Sequence, residues 1–218
     1  LRWMAGIRML EYVASCQDRP NVLMDYANIA PIMGELWSPI AAVTSSWRGR
    51  DNAQIAVAIG GASIVPDQPR VAVQIYKRNL SHDMIYGSGA FCLNFLRKDQ
   101  LQPIHDFGLR SGRDVEKLEP YEYEAGPTGS PLLADCWGYL DCRVVNAMDG
   151  GDMTCFLAEV LDGKTVSQGG PLSWRYAKQV IPPEWAGEWE RKVEAEVAWS
   201  EQQMARIDLG PWSGPSAS

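Results

Sequence analysis

The sequence predicts a mostly β protein, folded as an antiparallel barrel, and three observations lead to this fold class. Short strand-like apolar runs recur from Ser38 onwards, separated by breaks rich in Gly, Pro and Asn. One short helical segment, SHDMIYGSG (81–89), lies among them, and a long polar stretch occupies 98–130. A doubly wound α/β sheet would need a helix of about ten or more residues between strands, so antiparallel pairing is favoured.

The elements follow in order from local patterns. Residues 1–35 predict an N-terminal extension, helical in part, because apolar residues are spaced among charged ones until Pro20 ends the segment. The strand segments are PIAAVTSS (39–46), AQIAVAIGGASIV (53–65), RVAVQIYK (70–77), AFCLNFLR (90–97), GYLDCRVVNAM (138–148) and TCFLAEVLDGKTV (154–166), before a final QGGPLSWRYAK (168–178). Gly49 marks a turn after the first strand. Ser81 is the expected N-cap of the short helix, and Gly87 or Gly89 its end.

The C-terminal part has a different pattern. Trp185, Trp189, Val193 and Val197 recur at intervals of four, which predicts a helix packed on the barrel or on a second subunit. Stacking of a tryptophan on a cofactor is the alternative, and GPWSGPSAS (210–218) is expected to be disordered. The predicted organisation is therefore an extension (1–35), a barrel domain (36–181) and a C-terminal helix with a disordered tail (182–218).

Composition narrows the function classes. The 218 residues are 46% hydrophobic and 22% charged, with a formal net charge of -7. Dispersed Lys and Arg in an acidic chain argue against a nucleic-acid partner. Apolar runs fall short of the roughly 20 residues of a membrane span. Five cysteines without framework spacing indicate a reducing compartment, so the cytoplasm is the expected location.

Several chemistries find no support in the motifs. The chain has two histidines, neither closely spaced with a metal-type partner, so no metal site is predicted. Cys136, Cys142 and Cys155 are interpreted as core thiols, with a redox role as the alternative. The nucleophile elbow G-x-S-x-G, the Walker loop and G-x-G-x-x-G are all absent.

Polar side chains do recur at successive strand ends. KRNLSH (77–82) groups two bases, an amide, a hydroxyl and a histidine directly before the short helix. Hydroxyl donors, backbone N–H groups and one cation can hold a phosphate without a P-loop. For any single residue, a solvated turn is the competing interpretation, and the repetition along the chain favours an anion site.

Seven segments, in order, resemble the flavin reductase-like family of FMN-binding split-barrel proteins. The similarity runs from about residue 36 to 178, and relatives that read NLTH and SGRDVDK match most closely. The segments are P-x3-VTS (39–45), N-x-QIA (52–56), P-x-VAVQI (69–75), NLSHDMI (79–85), SGAFCLNFL (88–96), FGLRSGRDVEK (107–117) and F-x-AEV (156–160).

The resemblance implies an FMN cofactor, NADH or NADPH as hydride donor and a homodimer with FMN near its interface. It implies a flavin reductase that passes electrons to a downstream acceptor, and a redox partner protein is one possible acceptor. A non-catalytic FMN carrier is the alternative, and a barrel without flavin that binds a protein partner is a third possibility. The implied cofactor contacts are Thr44, Ser45, Ser46, Asn52, Gln54, Ile55, Ala56, Lys77, Asn79, Ser81 and His82.

Within this set, Lys77, Asn79 and Ser81 are expected at the phosphate and ribityl chain, and His82 at the nicotinamide or phosphate, or in a packing role. Arg113, Asp114 and Lys117 are expected to form a structural network, with a place beside the site as the alternative. The chain departs from the family at Val57 to Ile59 and at Met153, where relatives commonly carry polar residues and a histidine. Both terminal extensions lie outside the similarity and could cover one face of a flavin.

Overall fold

The structure is a computed structural model that describes Ile32, Met33, Leu36 and residues 39–215. The chain divides into two compact units, residues 1–36 and 37–218. The predicted N-terminal helix falls outside the described residues, and the sheet with its accompanying helices lies in the second unit.

A curled antiparallel sheet of seven strands forms the body of this unit, in the order β2-β1-β5-β8-β9-β4-β3. The strands of the sheet are β1 (Ala41–Trp47), β2 (Arg50–Ala56), β3 (Ile59–Gly61), β4 (Arg70–Tyr76), β5 (Ala90–Phe95), β8 (Gly138–Asp149) and β9 (Met153–Thr165). A separate hairpin pairs β6 (Tyr123–Ala125) with β7 (Pro131–Leu133). The predicted mostly β, split-barrel fold is confirmed.

The sheet curls because its two edge strands are consecutive in sequence. β2 and β3 lie at opposite edges, yet only Val57 and Ala58 separate them. A two-residue link cannot cross an open seven-stranded sheet, since strands lie about 4.8 Å apart. The break at these residues also divides the single long strand that the sequence predicts over 53–65.

Two apolar cores result from the alternation of side chains along the strands. The interior core lies inside the curl and includes Val43, Val73, Phe91 and Phe156. The outer core lies on the other face of β1 and β2 and is covered by helices and the long loop, with Ala42, Phe107 and Trp174 among its members.

Four helices accompany the sheet. They are α1 (Leu80–Ser88), α2 (Gln102–Gly108), α3 (Trp174–Val180) and α4 (Pro183–Glu201). The predicted end of α1 at Gly89 is confirmed, with φ of 69°. The predicted N-cap is wrong: Asn79 occupies that position, and Ser81 lies inside the first turn because its hydroxyl bonds to β2 instead. The sequence patterns do not predict α2 and α3, and α3 begins at a Ser173 cap that accepts from the Tyr176 N–H.

The two tryptophans of the apolar stripe predicted for helix α4 pack against other aromatic rings. Trp185 lies 4.9 Å from the His105 ring and Trp189 lies 5.3 Å from Trp174, centroid to centroid. Val193 and Val197 remain 38% and 50% exposed. The C-terminal segment (202–215) follows α4. The sequence predicts disorder over residues 210–218, but Trp212 in this range packs against the interior core. Residues 216–218 lie outside the described part.

Candidate functional site

The β1–β2 hairpin separates the predicted contact residues onto two faces. Ser45 pairs with Asn52 and Val43 with Gln54, so the side chains of Ser45, Asn52 and Gln54 point to the interior side, below α1. Ala56 shares that face and belongs to the interior core. The other predicted residues of the hairpin, Thr44, Ser46 and Ile55, alternate onto the opposite face.

Thr44 is engaged by neighbours on that opposite face. Its hydroxyl donates to the Pro131 carbonyl at 2.5 Å and accepts from Asn94 Nδ2 at 3.0 Å, and the residue is fully buried. Successive residues of a strand point to opposite faces, so the side chains of Thr44 and Ser45 lie on different sides of the sheet. Both remain predicted cofactor contacts.

The first turn of α1 is held between two strands. Asn52 Nδ2 donates to Ser81 Oγ at 2.8 Å, and His82 Nε2 lies 2.8 Å from Thr154 Oγ1 on β9. Burial lowers the pKa of His82 below its usual value, against the hydrogen bond and charge of Asp83. His82 is thus a neutral side chain at neutral pH, with one nitrogen bonded to Thr154.

The long loop closes over the same region. Arg113 forms an ion pair with Asp83 of α1 at 2.8 Å, and the backbone of Gly112 lies so close to Asn52 that an added Cβ would overlap its Oδ1. Lys117 is buried and donates to the carbonyls of Ala53 and Phe107 at 2.9 and 2.8 Å. Asp114 is exposed.

Desolvation dominates the electrostatics of Lys117. Burial lowers the pKa of its amine to about 7, and the neighbouring Lys192 charge acts in the same direction. The two carbonyl contacts accept two of the three N–H groups of the ammonium but add no compensating negative charge. Lys117 therefore anchors the loop to β2 as an amine that titrates near neutral pH.

Lys77 is paired with a carboxylate that the sequence motifs do not indicate. Its Nζ lies 2.7 and 2.6 Å from the two oxygens of Asp149 at the end of β8. Burial disfavours the Asp149 charge, but hydrogen bonds from Lys77 and the Gly151 N–H outweigh it and lower the pKa of Asp149. A phosphate at Lys77 would have to compete with this carboxylate.

A cavity of about 220 Å³ opens beside this ion pair. Its volume is below the roughly 300–1,000 Å³ typical of pockets that enclose a whole ligand, so it is too small to enclose a whole nucleotide. Its polar and aromatic lining includes Lys77, His82, Tyr86, Asp149, Thr154 and Trp212.

Two buried polar atoms of the barrel unit lack a hydrogen-bond partner in the described part of the chain. Among the described residues, Gln54 Oε1 and Trp212 Nε1 are buried without a hydrogen-bond partner. One is an acceptor and the other a donor, and an isoalloxazine ring carries both ring N–H and carbonyl groups. Each atom taken by itself therefore has a complementary group on a flavin ring.

Four residues of the cavity are not indicated by the sequence motifs. The sequence patterns place Asp149 in a turn, Thr154 and Tyr86 in secondary structure, and Trp212 in a disordered tail. The order of the motifs does not predict that these four residues meet, because each reaches the cavity from a different element.

Asn79, another predicted contact, is half-buried at the N-cap of α1 and makes no side-chain capping bond.

Metal and thiol chemistry find little support in the part of the chain that the structure describes. No group of three or more His, Cys, Asp or Glu side chains there could hold a metal ion. Burial raises the pKa of Cys92, Cys136, Cys142 and Cys155, which opposes thiolate formation. Within the same residues, no helix has the length and apolar character needed to cross a bilayer.

Comparison with known proteins gives consistent matches. Residues 33–180 match the model of the flavin reductase like domain. A high molecular weight rubredoxin of Moorella thermoacetica is 32% identical over 63% of this chain, which spans 60% of that protein. A ferric-chelate reductase (NAD(P)H) of Archaeoglobus fulgidus is 31% identical over 61% of this chain and 78% of its own. The solved structure of an FMN-binding protein from Thermus thermophilus with bound p-hydroxybenzaldehyde aligns with a TM-score of 0.54 at 25% identity, covering 58% of this chain and 70% of its own.

Proposed function

Because the chain belongs to the flavin reductase-like family, we propose that it is a flavin reductase that binds FMN and takes hydride from NADH or NADPH. One observation carries the proposal: two buried polar atoms lack a partner among the described residues, Gln54 Oε1 on the interior face of β2 and Trp212 Nε1 in the C-terminal segment. The names of the relatives, an NAD(P)H-dependent reductase and an FMN-binding protein, support it.

FMN, when bound, accepts a hydride and passes electrons onward. The chain's residues bind and orient it. Gln54 Oε1 would accept a hydrogen bond from the flavin ring, and Asn52 and Ser81, which are hydrogen-bonded to each other, would form the adjacent polar wall. The first backbone N–H groups of α1 and the Asn79 side chain, which makes no capping bond, would hold the ribityl phosphate, because a helix N-terminus favours an anion.

Lys77 and His82 have orienting roles in this proposal. The pair with Asp149 leaves Lys77 little charge for a phosphate, so Lys77 fixes the cavity wall. Neutral His82 is held by Thr154, and its imidazole ring stacks on the ring of Tyr86 at 5.7 Å, centroid to centroid. The protein needs no general base, since hydride transfer between the cofactors involves no proton abstraction by a side chain.

The test is an absorbance spectrum of the protein after incubation with FMN and desalting, followed by NADH or NADPH without oxygen. We expect retained flavin that bleaches within seconds of adding one donor. Retained flavin that stays oxidised with both donors would reject the reductase and support the carrier. A colourless protein would reject flavin binding altogether.

A variant ties this test to the site. Asn52→Ala removes the hydrogen bond to Ser81 and is expected to weaken FMN binding by about 1–2 kcal/mol. Asn146→Ala, an exposed asparagine on β8, is the matched control. Equal FMN affinities of the two variants by calorimetry would contradict the assignment of this wall.

We also propose a cytoplasmic homodimer. An open groove of about 690 Å³, lined in part by Phe95, Trp137, Leu140 and Val160, is an apolar surface suited to a second copy. Sedimentation velocity of the flavin-loaded protein tests the assembly, and a monomer at all concentrations would reject it.

A further inference from the structure

The C-terminal segment (202–215) is fitted onto the barrel at two glycines. At Gly151, with φ of +93°, an added Cβ would lie 2.8 Å from the carbonyl oxygens of Gln203 and Met204. At Gly89, an added Cβ would lie 2.7 Å from Pro215 Cγ. The segment therefore runs from the β8–β9 turn to the end of α1, and it packs closely at both places.

Trp212 lies between these two points and reaches the cavity. Its ring centroid is 6.4 Å from that of Tyr86, at 73°, an edge-to-face arrangement. It packs against the interior core and lines the cavity together with Lys77 and His82. This segment lies beyond residue 180, where the family match ends, so the wall that Trp212 forms is not part of the matched domain.

The indole N–H of Trp212 is buried and has no acceptor among residues 39–215. Buried tryptophans usually find a partner for this group, because an unpaired buried donor is unfavourable. Carboxylates of Asp149 and Asp208 line the same cavity, yet the indole bonds to neither. The N–H has almost no accessible surface, so a ligand in the cavity that supplies an acceptor has to displace part of the C-terminal segment to reach it.

The charges of the cavity select the kind of ligand. The cavity is lined by one cation, Lys77, and by two carboxylates, Asp149 and Asp208. His82 adds no charge at neutral pH, because burial lowers its pKa. This balance disfavours a phosphate, since the carboxylates would repel it. A neutral or cationic aromatic ring with an oxygen acceptor fits better, because it can lie against Tyr86 and accept from the indole.

We propose that Trp212 is a cofactor-contacting residue that donates its indole N–H to a carbonyl or carboxamide oxygen of a heteroaromatic ring. The inference rests on the proposed function, which offers two such rings. One is the isoalloxazine of FMN, whose edge carries ring carbonyls. The other is the nicotinamide of the hydride donor, which carries a carboxamide.

Calorimetry distinguishes the two rings without turnover. FMN is titrated onto flavin-free protein, and NAD⁺ and NADP⁺ onto protein loaded with oxidised FMN, with which they cannot react. Trp212→Phe keeps an aromatic ring and removes the N–H, and Trp212→Tyr is a second variant in case the first folds poorly. Trp185→Phe, on α4 against His105, is the matched control.

We expect Trp212→Phe to bind one ligand about three- to tenfold more weakly, the equivalent of one hydrogen bond, while Trp185→Phe binds both normally. A selective loss for FMN identifies the flavin edge, and a selective loss for NAD⁺ or NADP⁺ identifies the nicotinamide. Affinities equal to those of the unmodified protein in both folded Trp212 variants would overturn the inference and leave the proposed function intact. An unmodified protein that binds neither ligand would overturn the proposed function itself, and the role of Trp212 with it.

Discussion

At the scale of single residues, the ion pair between Lys77 and Asp149 decides how the KRNLSH cluster can be used. Both carboxylate oxygens contact the amine, and the two side chains are 26% and 19% exposed. A charge that is already neutralised by a close partner contributes less to binding another anion. Within the cluster, Lys77 is therefore paired with Asp149 of the barrel. The other base, Arg78, donates a hydrogen bond to the Ala195 carbonyl of α4.

This pairing makes a prediction about phosphate recognition. Lys77→Met is expected to weaken the binding of FMN and riboflavin by the same factor, because the lysine shapes the cavity without holding the phosphate. Calorimetry with both ligands measures the two factors, and Lys98→Met, at an exposed lysine after β5, is the control. If the affinity falls about tenfold or more for FMN but not for riboflavin, Lys77 binds the phosphate and the prediction is wrong.

At the scale of elements, α1 is the part that brings the site together. Consecutive residues of its first turn, Ser81 and His82, bond to β2 and β9 respectively, and Asp83 binds the long loop. Gly87 lets the helix approach the barrel, since a Cβ there would lie 2.5 Å from the Trp47 ring. The helix is therefore fixed at both ends, and its N-terminus holds a defined position.

The C-terminal segment makes a prediction at the same scale. Gly151→Ala is expected to release it from the β8–β9 turn, because the new Cβ would overlap the carbonyls of Gln203 and Met204. Tryptic cleavage after Arg206 should then become faster. Gly169→Ala is the matched control, since Gly169 has a similar φ of +88° but open space around it.

Both substitutions carry a backbone strain of about 1–2 kcal/mol, because an L residue is disfavoured at positive φ. Only the Gly151 variant adds a collision with the segment. Equal cleavage rates after Arg206 in the two variants would show that the segment does not depend on this contact.

At the scale of the whole molecule, Lys117 links stability to pH. Its pKa is about 7 in the folded protein and 10.5 as the reference value for the unfolded chain. Between these values the unfolded chain binds more protons, so the free energy of unfolding rises with pH. Below pH 7 both states carry the proton, and the cost of burying the charge is present in full.

We therefore expect the free energy of unfolding to rise between pH 7 and 8.5 by up to about 1.4 kcal/mol per pH unit from this residue. Above that window, unfolded cysteines begin to ionise and oppose the trend, because their folded pKa values are raised. Urea unfolding at several pH values measures the slope. Lys117→Met should lose it, and an unchanged slope in that variant would assign the effect to other groups.

Local patterns predict much of this molecule. The alternating apolar residues of RVAVQIYK form β4, and the glycine at position 89 ends α1 as expected. The patterns fail where the environment overrides local preference. QGGPLSWRYAK contains α3, whose Trp174 and Ala177 are buried in the outer core. The Gly, Pro and Ser of the last residues predict disorder, although Trp212 has an aromatic partner on α1.

The sequence by itself determined the fold class and the family, because strand periodicity and the order of seven motifs are properties of the chain read in one dimension. The tertiary structure alone decided which polar residues act together. Thr44 and Ser45 are neighbours in the chain, but a strand turns them to opposite faces. Asp149, Thr154 and Trp212 are distant from KRNLSH in sequence and line one cavity with it, because the curl of the sheet and the path of the C-terminal segment bring separate elements to the same end of the barrel.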